Sequence, residues 1–287
     1  MNELDLENLL PGFKSRPLSQ RVETVCKALL GSPYAPHPYG EGDMGKFDRR
    51  SVVRYDAFNC ISFTETALCL AIGGDRTQVE FLLPQLRYVG GLIAFENRCH
   101  FIAGQWTTNN LANKLLNDTL NDSPELSGSF VREIDWSSWY RELPDYLVHR
   151  PDLSPMQRNC VIEELREAGQ GLGCQVIEER YIPFERLFCP TSEAAGGSTR
   201  AYGSEYLNER LLNQLPKLAV VVFYGTNNEH VGIASLNNES GIFYHTDFAR
   251  PSRALCQDFL EILSFRHRFT NQVGFRVFGI NADWPGL

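Results

Sequence analysis

The sequence predicts an α+β fold in which N-terminal helices pack on an antiparallel C-terminal sheet. Apolar residues recur at helical spacing early in the chain, in Leu18–Gly31 and Ile61–Ile72. The last third instead carries β-branched and aromatic runs, "KLAVVVFY", "HVGIASL" and "GIFYHTDF", separated by "GTNNE" and "NNES". A period of 3.6 marks the first pattern as helix, and short runs bounded by turn residues mark the second as strand. Helices followed by a meander, rather than strict alternation, select α+β. No internal repeat or linker divides residues 1–287, so they read as one domain with helical insertions around 105–215.

Each element has a local reason. In "LSQRVETVCKALLG", Ser19 is the expected cap, Val22, Val25, Cys26, Leu29 and Leu30 form one stripe, and Gly31 is the stop. "SPYAPHPYGEGDMGKFDRRS" is rich in Pro and Gly and reads as loop. Within it Gly40, Gly45 and Lys46 have the spacing of a phosphate-binding loop. Phe47 stands where a Ser or Thr must ligate magnesium, and Glu41 and Asp43 would face the phosphates, so that reading is rejected. "LRYVGGLIAFENRCHFIAGQWTTNNLANKLLN" reads as extended segments broken at Gly90–Gly91, then a helix from about Thr107. "NDSPELSGS" is a surface loop, and Ser154–Pro155 opens a helix through Glu167. "TSEAAGGSTRAYG" is expected to be a mobile loop, with a helix over Ser204–Leu215 and a last strand in "VGFRVFGI".

A net charge of −8 argues against nucleic acid as partner, and no run approaches the ~18 apolar residues of a membrane span. The opening "MNELDLENLLPGFKSR" lacks the basic flank and apolar core of a signal peptide. Either the protein does not use that export route or the numbering begins after a removed leader; the compartment stays open. Cysteines at 26, 60, 69, 99, 160, 174, 189 and 256 form no C-x-x-C pair, and there is no HExxH, so neither a metal nor another cofactor is expected.

Position separates the cysteines. A catalytic thiol needs a lowered pKa, partial exposure and a base in reach. Asn59 is a good N-cap, which places Cys60 at the first turn of a helix, where free N–H groups and the helix dipole favour a thiolate. Cys69 falls in the middle of the same helix among apolar residues, the setting of an inert core thiol, and Cys26 and Cys160 are also inside helices. His230 opens the strand "HVGIASL" straight after a turn, and Gly232 and Ala234 on its face leave room for a ring. In "GIFYHTDF", His245 and Asp247 share a face, and either can orient the base. A strand register whose residue numbers sum to an odd value brings His245 beside His230, and an even sum parts them.

Several words of the sequence resemble the N-acetylmuramoyl-L-alanine amidase-like branch of the NlpC-type, papain-like cell-wall cysteine hydrolases. "LLGSPYA" is similar to that branch's "LGxPY", and "FNCISFTETALCLA" to its "FDCxTFVExxLALA" nucleophile helix. "LRYVGGLIAFENRCHF" with "QWTTNN" resembles "RYxxGxxxxxxRxHY…W…N", and "YIPFERL" its "YIP" segment. "EHVGIAS" is similar to the "HVGI" base strand and "GFRVFGI" to a closing "GIRVxR" strand, so the matches run in order from about residue 25 to 282. Two words depart: Asn59 stands for the family's Asp, and "FYHTDF" for a His-Ala-Ser type segment.

The resemblance implies a papain-like (NlpC-type) fold and thiolate attack on an amide of peptidoglycan fragments, the lactyl–L-alanine bond first. Cys60 is the implied nucleophile, His230 the proton donor to the leaving amine and His245 the orienting group; the Cys60 N–H is a natural oxyanion donor. It also implies a periplasmic or envelope location. Tyr34 matches the "PY" tyrosine beside the nucleophile. Arg98 and His100, alternating on one strand around Cys99, are candidates to line the cleft and hold a peptide carboxylate, and Trp106 to stack on sugar or peptide. "RHR" at 266–268 reads as a solvated face. The rival readings are a stem-peptide endopeptidase, a non-catalytic fragment binder, and an acyltransferase or thioesterase using the same Cys–His pair.

Overall fold

The structure is a computed structural model that describes residues 12–122, 127–191, 199–225, 229–236, 241–248 and 252–284. The "NNES" turn and the centres of "GTNNE", "NDSPELSGS" and "TSEAAGGSTRAYG" lie outside the described residues.

The helices are α1 (Leu18–Leu29), α2 (Cys60–Gly73), α3 (Arg76–Arg87), α4 (Thr107–Ala112), α5 (Trp136–Arg141), α6 (Pro155–Ala168), α7 (Phe184–Leu187), α8 (Glu209–Gln214) and α9 (Phe259–Phe269). The strands are β1 (Leu116–Asp118), β2 (Gly128–Asp135), β3 (Cys174–Pro183), β4 (Phe188–Cys189), β5 (Thr199–Tyr202), β6 (Glu205–Asn208), β7 (Leu218–Gly225), β8 (His230–Leu236), β9 (Gly241–Asp247), β10 (Arg253–Asp258) and β11 (Gln272–Ile280). The main sheet runs β10-β9-β8-β7-β11-β3-β2, with β1 also on β11 and every pairing antiparallel.

β7 reads "LAVVVFYG" without alternation because both its faces are covered. Val220, Val222 and Tyr224 enter one apolar core with α1, α2 and α3, while Ala219, Val221 and Phe223 enter a second with α9 and Phe184–Phe188. The helix carrying Cys60 is central. α2 is apolar around nearly its whole circumference, and it packs on α1, α3, β8 and β9. Its one charge, Glu65, is fully buried and held by Arg87 at 2.8 Å and Trp106 Nε1 at 2.9 Å. Losing one partner of such a pair costs about 3–5 kcal/mol, so α2 is pinned in rotation as well as in place.

Several sequence expectations are corrected. α1 begins at Leu18 with Pro17 before it and no side-chain cap, so Ser19 lies inside the helix. The region 105–215 is not only helical: it holds β1 to β6, including the ten-residue β3. Ser204–Leu215 is a strand and then a helix, β6 and α8, with Asn208 capping the latter. α3 and α9 are absent from the sequence reading; α3 contains Pro84, ordinarily a helix breaker, and starts on Asp75, which accepts from Gln78 N–H at 2.8 Å.

Candidate active site

Asn59 sets the start of α2. Its Oδ1 accepts from Ser62 N–H at 2.9 Å while Ser62 Oγ accepts from Asn59 N–H at 3.0 Å, a reciprocal capping box. Cys60 is therefore the first helical residue, as its context predicts, and it is half-buried, whereas Cys69 is completely buried. The backbone N–H groups of Val231, Ile61 and Cys60 itself are directed at the thiol. Val231 follows His230, so the Cys60 end of α2 abuts the first residues of β8.

The strand register puts two histidines together. Ile233 pairs with Tyr244 across β8 and β9, an odd sum, so His230 and His245 share a face. His230 Nε2 lies 2.8 Å from His245 Nδ1 with the rings nearly perpendicular at 87°. Gly232 allows this approach: a Cβ there would meet Phe243 Cζ at 2.4 Å and Tyr244 O at 2.6 Å, and the Phe243 ring lies against His245 at 4.9 Å. On its far side His245 Nε2 contacts Gln257 Oε1 at 2.8 Å. Asp247, the alternative orienting group, instead accepts from Arg266 Nη2 at 3.3 Å.

Arg266 is a site residue the sequence reading placed wrongly, on a solvated face. It is buried, at the last turn of α9, and its charge acts on Cys60, His230 and His245. Only His267 and Arg268 of "RHR" turn outward, both onto Glu205. The helical period of "FLEILSFRHRF" carries the signal, since Phe259, Ile262, Leu263 and Arg266 fall on one face. Gln257 was also missed; it shares the face of His245 through the pairing Leu255↔His245, a relation no sequence pattern states.

Electrostatics keep these groups neutral. Burial pushes the Cys60 thiol up to about 11, against the smaller pull of the N–H groups and Arg266. The expected lowering by the helix terminus is thus present but outweighed. Burial, then Arg266 and His245, hold His230 well below the ordinary histidine range, and burial brings His245 to about 4. These shifts favour the neutral thiol and the neutral imidazoles.

The family model for AmiA-like, N-acetylmuramoyl-L-alanine amidase-like proteins matches residues 24–265. The chain belongs to this amidase-like family. A solved structure of a protein from Legionella pneumophila is 20% identical, covers 96% of this chain and 93% of its own, and superposes with a TM-score of 0.81. An N-acetylmuramoyl-L-alanine amidase from Bacteroides uniformis is 17% identical, with 92% of this chain and 99% of that chain covered and a TM-score of 0.60. At such identities the likeness is one of fold. No curated protein matches the sequence.

The other sequence-expected residues of the amidase-like chain divide. Tyr34 is half-buried beside the site: burial, then Cys60 and Asp247, raise its phenol above the usual range. Arg98 and His100 do not alternate on a strand; the segment after Asn97 is irregular and meets Tyr88 only through an isolated bridge. Arg98 is buried, with its guanidinium on Glu41 at 2.9 Å and Asp48 at 3.1 Å. His100 Nε2 donates to Phe95 O at 2.9 Å, and its ring packs at 4.6 Å from both Phe95 and Trp139. Trp106 is fully buried under α2. Arg98 thus ties to the loop of residues 39–50 and Trp106 to helix α2, while His100 packs between Phe95 and Trp139. Among the described residues no cluster of His, Cys, Asp and Glu is grouped as a metal would require.

Proposed function

We propose that this chain is a papain-like, NlpC-type cysteine amidase, acting as one domain, that hydrolyses the N-acetylmuramoyl-L-alanine bond of peptidoglycan fragments. The observation that carries the reading is the thiol of Cys60, at a capped helix start, beside a strand whose first residue, His230, is hydrogen-bonded to a second histidine at 2.8 Å. Family membership supplies the substrate class.

His230 Nε2 is engaged with His245, which leaves Nδ1 as the base for the thiol. As Sγ adds to the lactyl carbonyl carbon, its proton passes to His230 and the new oxyanion is met by the Cys60 N–H. The carbon–nitrogen bond then breaks, the imidazolium proton goes to the alanine nitrogen, and the peptide leaves. Water, deprotonated by His230, hydrolyses the thioester and restores the thiol. Tyr34, whose phenol interacts with Cys60, is assigned to the scissile carbonyl.

Incubation with disaccharide-peptide fragments, followed by mass spectrometry, tests the reading. Release of intact peptide plus free sugar acid supports it; a shortened peptide would make the protein an endopeptidase, and unchanged substrate a binder.

A further inference from the structure

The hydrogen-bonded chain that starts at His230 does not end at His245. His245 Nε2 faces Gln257 Oε1 at 2.8 Å, and an amide oxygen only accepts. A neutral imidazole has one N–H and one bare nitrogen, so each contact dictates the next. His245 Nε2 carries its ring's proton, and His245 Nδ1 is then an acceptor. The 2.8 Å contact between the rings is a donation from His230 Nε2–H, and His230 Nδ1 is left with a lone pair. Resting on the reading above, we propose that Gln257 is a positioning residue that sets the tautomers of both histidines, so that His230 offers the thiol a base and not an N–H.

The surroundings explain why an amide does this work. Only a neutral ring has a tautomer to choose, and Arg266 from α9 opposes imidazolium at both His230 and His245. The nearby carboxylate, Asp247 on β9, is taken up by Arg266 at 3.3 Å. Cys60 on α2 adds a neutral thiol. Gln257 reaches His245 from β10, the edge strand of the sheet, and is itself exposed. Turned over, the same amide would donate to His245 Nε2 and reverse every proton position down to His230 Nδ1, which would then carry hydrogen and could not accept from sulfur.

The test compares wild type, Gln257→Leu, which removes the acceptor, and Gln257→Glu, which keeps an acceptor with no donor. Nitrogen-15 NMR of the histidines, assigned through single-histidine variants, reads the tautomer without turnover. His230 Nδ1 is expected bare in wild type and Gln257→Glu and mixed in Gln257→Leu. On disaccharide-peptide, Gln257→Leu lowers kcat roughly ten- to a hundredfold with KM little changed, less than the ~10²–10⁴-fold of a whole general base because the base is misoriented rather than removed. Gln257→Glu recovers most of that loss and moves the acid limb of the pH profile upward, because a carboxylate beside His245 favours its protonated form. Protonated Nδ1 on His230 in wild type, or unchanged tautomers and kcat in Gln257→Leu, would overturn the proposal. If wild type cleaves no fragment while the NMR outcome holds, the amidase reading fails and the tautomer assignment stands.

Discussion

His230 and His100 are both imidazoles held neutral beside an arginine, and both were drawn from the sequence as candidates to face substrate. They differ in what each is joined to. His100 donates to a backbone carbonyl at 2.9 Å, is walled by Phe95 and Trp139, and is pushed by burial to about 3. Its neighbour Arg98 is used on Glu41 and Asp48. His230 has one nitrogen on His245, and its strand begins beside the half-buried Cys60. Burial and a neighbouring positive charge are common to both clusters, so neither marks the reactive one. The distinguishing feature is the connection: His230 joins a second histidine that leads on to Gln257, whereas His100 ends on a backbone carbonyl.

Four measurements sharpen that contrast. The largest effect is expected at the sulfur: Cys60→Ala lowers kcat by roughly 10⁴-fold or more, whereas Cys69→Ala keeps turnover and melts a few degrees lower. Full activity in Cys60→Ala would end the thiol mechanism. In the closed cluster the loss is of stability. Arg98→Met leaves Glu41 buried without its counter-charge and Asp48 with Arg50 alone, and costs about 3–5 kcal/mol by urea denaturation. A rise confined to KM, with stability unchanged, would instead return Arg98 to the substrate.

Acid separates the clusters next. His230 and His245 titrate below the ordinary value of ~6.5, so the unfolded chain binds more protons and stability falls as pH drops from about 6.5 toward 4. From pH 7 to pH 5 His245 gives up about 2 kcal/mol, and His245→Gln should lose that much less over the same interval. The smallest effect concerns Arg266. Arg266→Gln removes a positive charge from beside both rings, so the acid limb of kcat/KM moves up by about one pH unit, equivalent to ~1.4 kcal/mol. An unmoved limb would mean that burial alone keeps the relay neutral.

How far the sequence reached follows from the range of each interaction. The Asn59 cap, Cys60 at the helix start, the buried Cys69 and the strands β7 to β9 and β11 were legible because they depend on neighbours within a few residues. α3 was hidden by Pro84, and the contrast between Arg266 and its two outward neighbours needed a helical face rather than a charge run. Gln257 offered no signal, since its meaning depends on which residue of β9 lies across from it.

By itself, then, the sequence determined the α+β class, the separation of Cys60 from Cys69 by position and the helix that Cys60 opens, all of them consequences of local period and capping. The tertiary structure alone decided the β8–β9 register that joins His230 to His245, the burial that holds Cys60 as a thiol against its helix dipole, and the assignment of Asp247 to Arg266 and of Gln257 to His245. The physical reason is that register and desolvation are properties of surfaces brought together from distant parts of the chain, and no local pattern carries them.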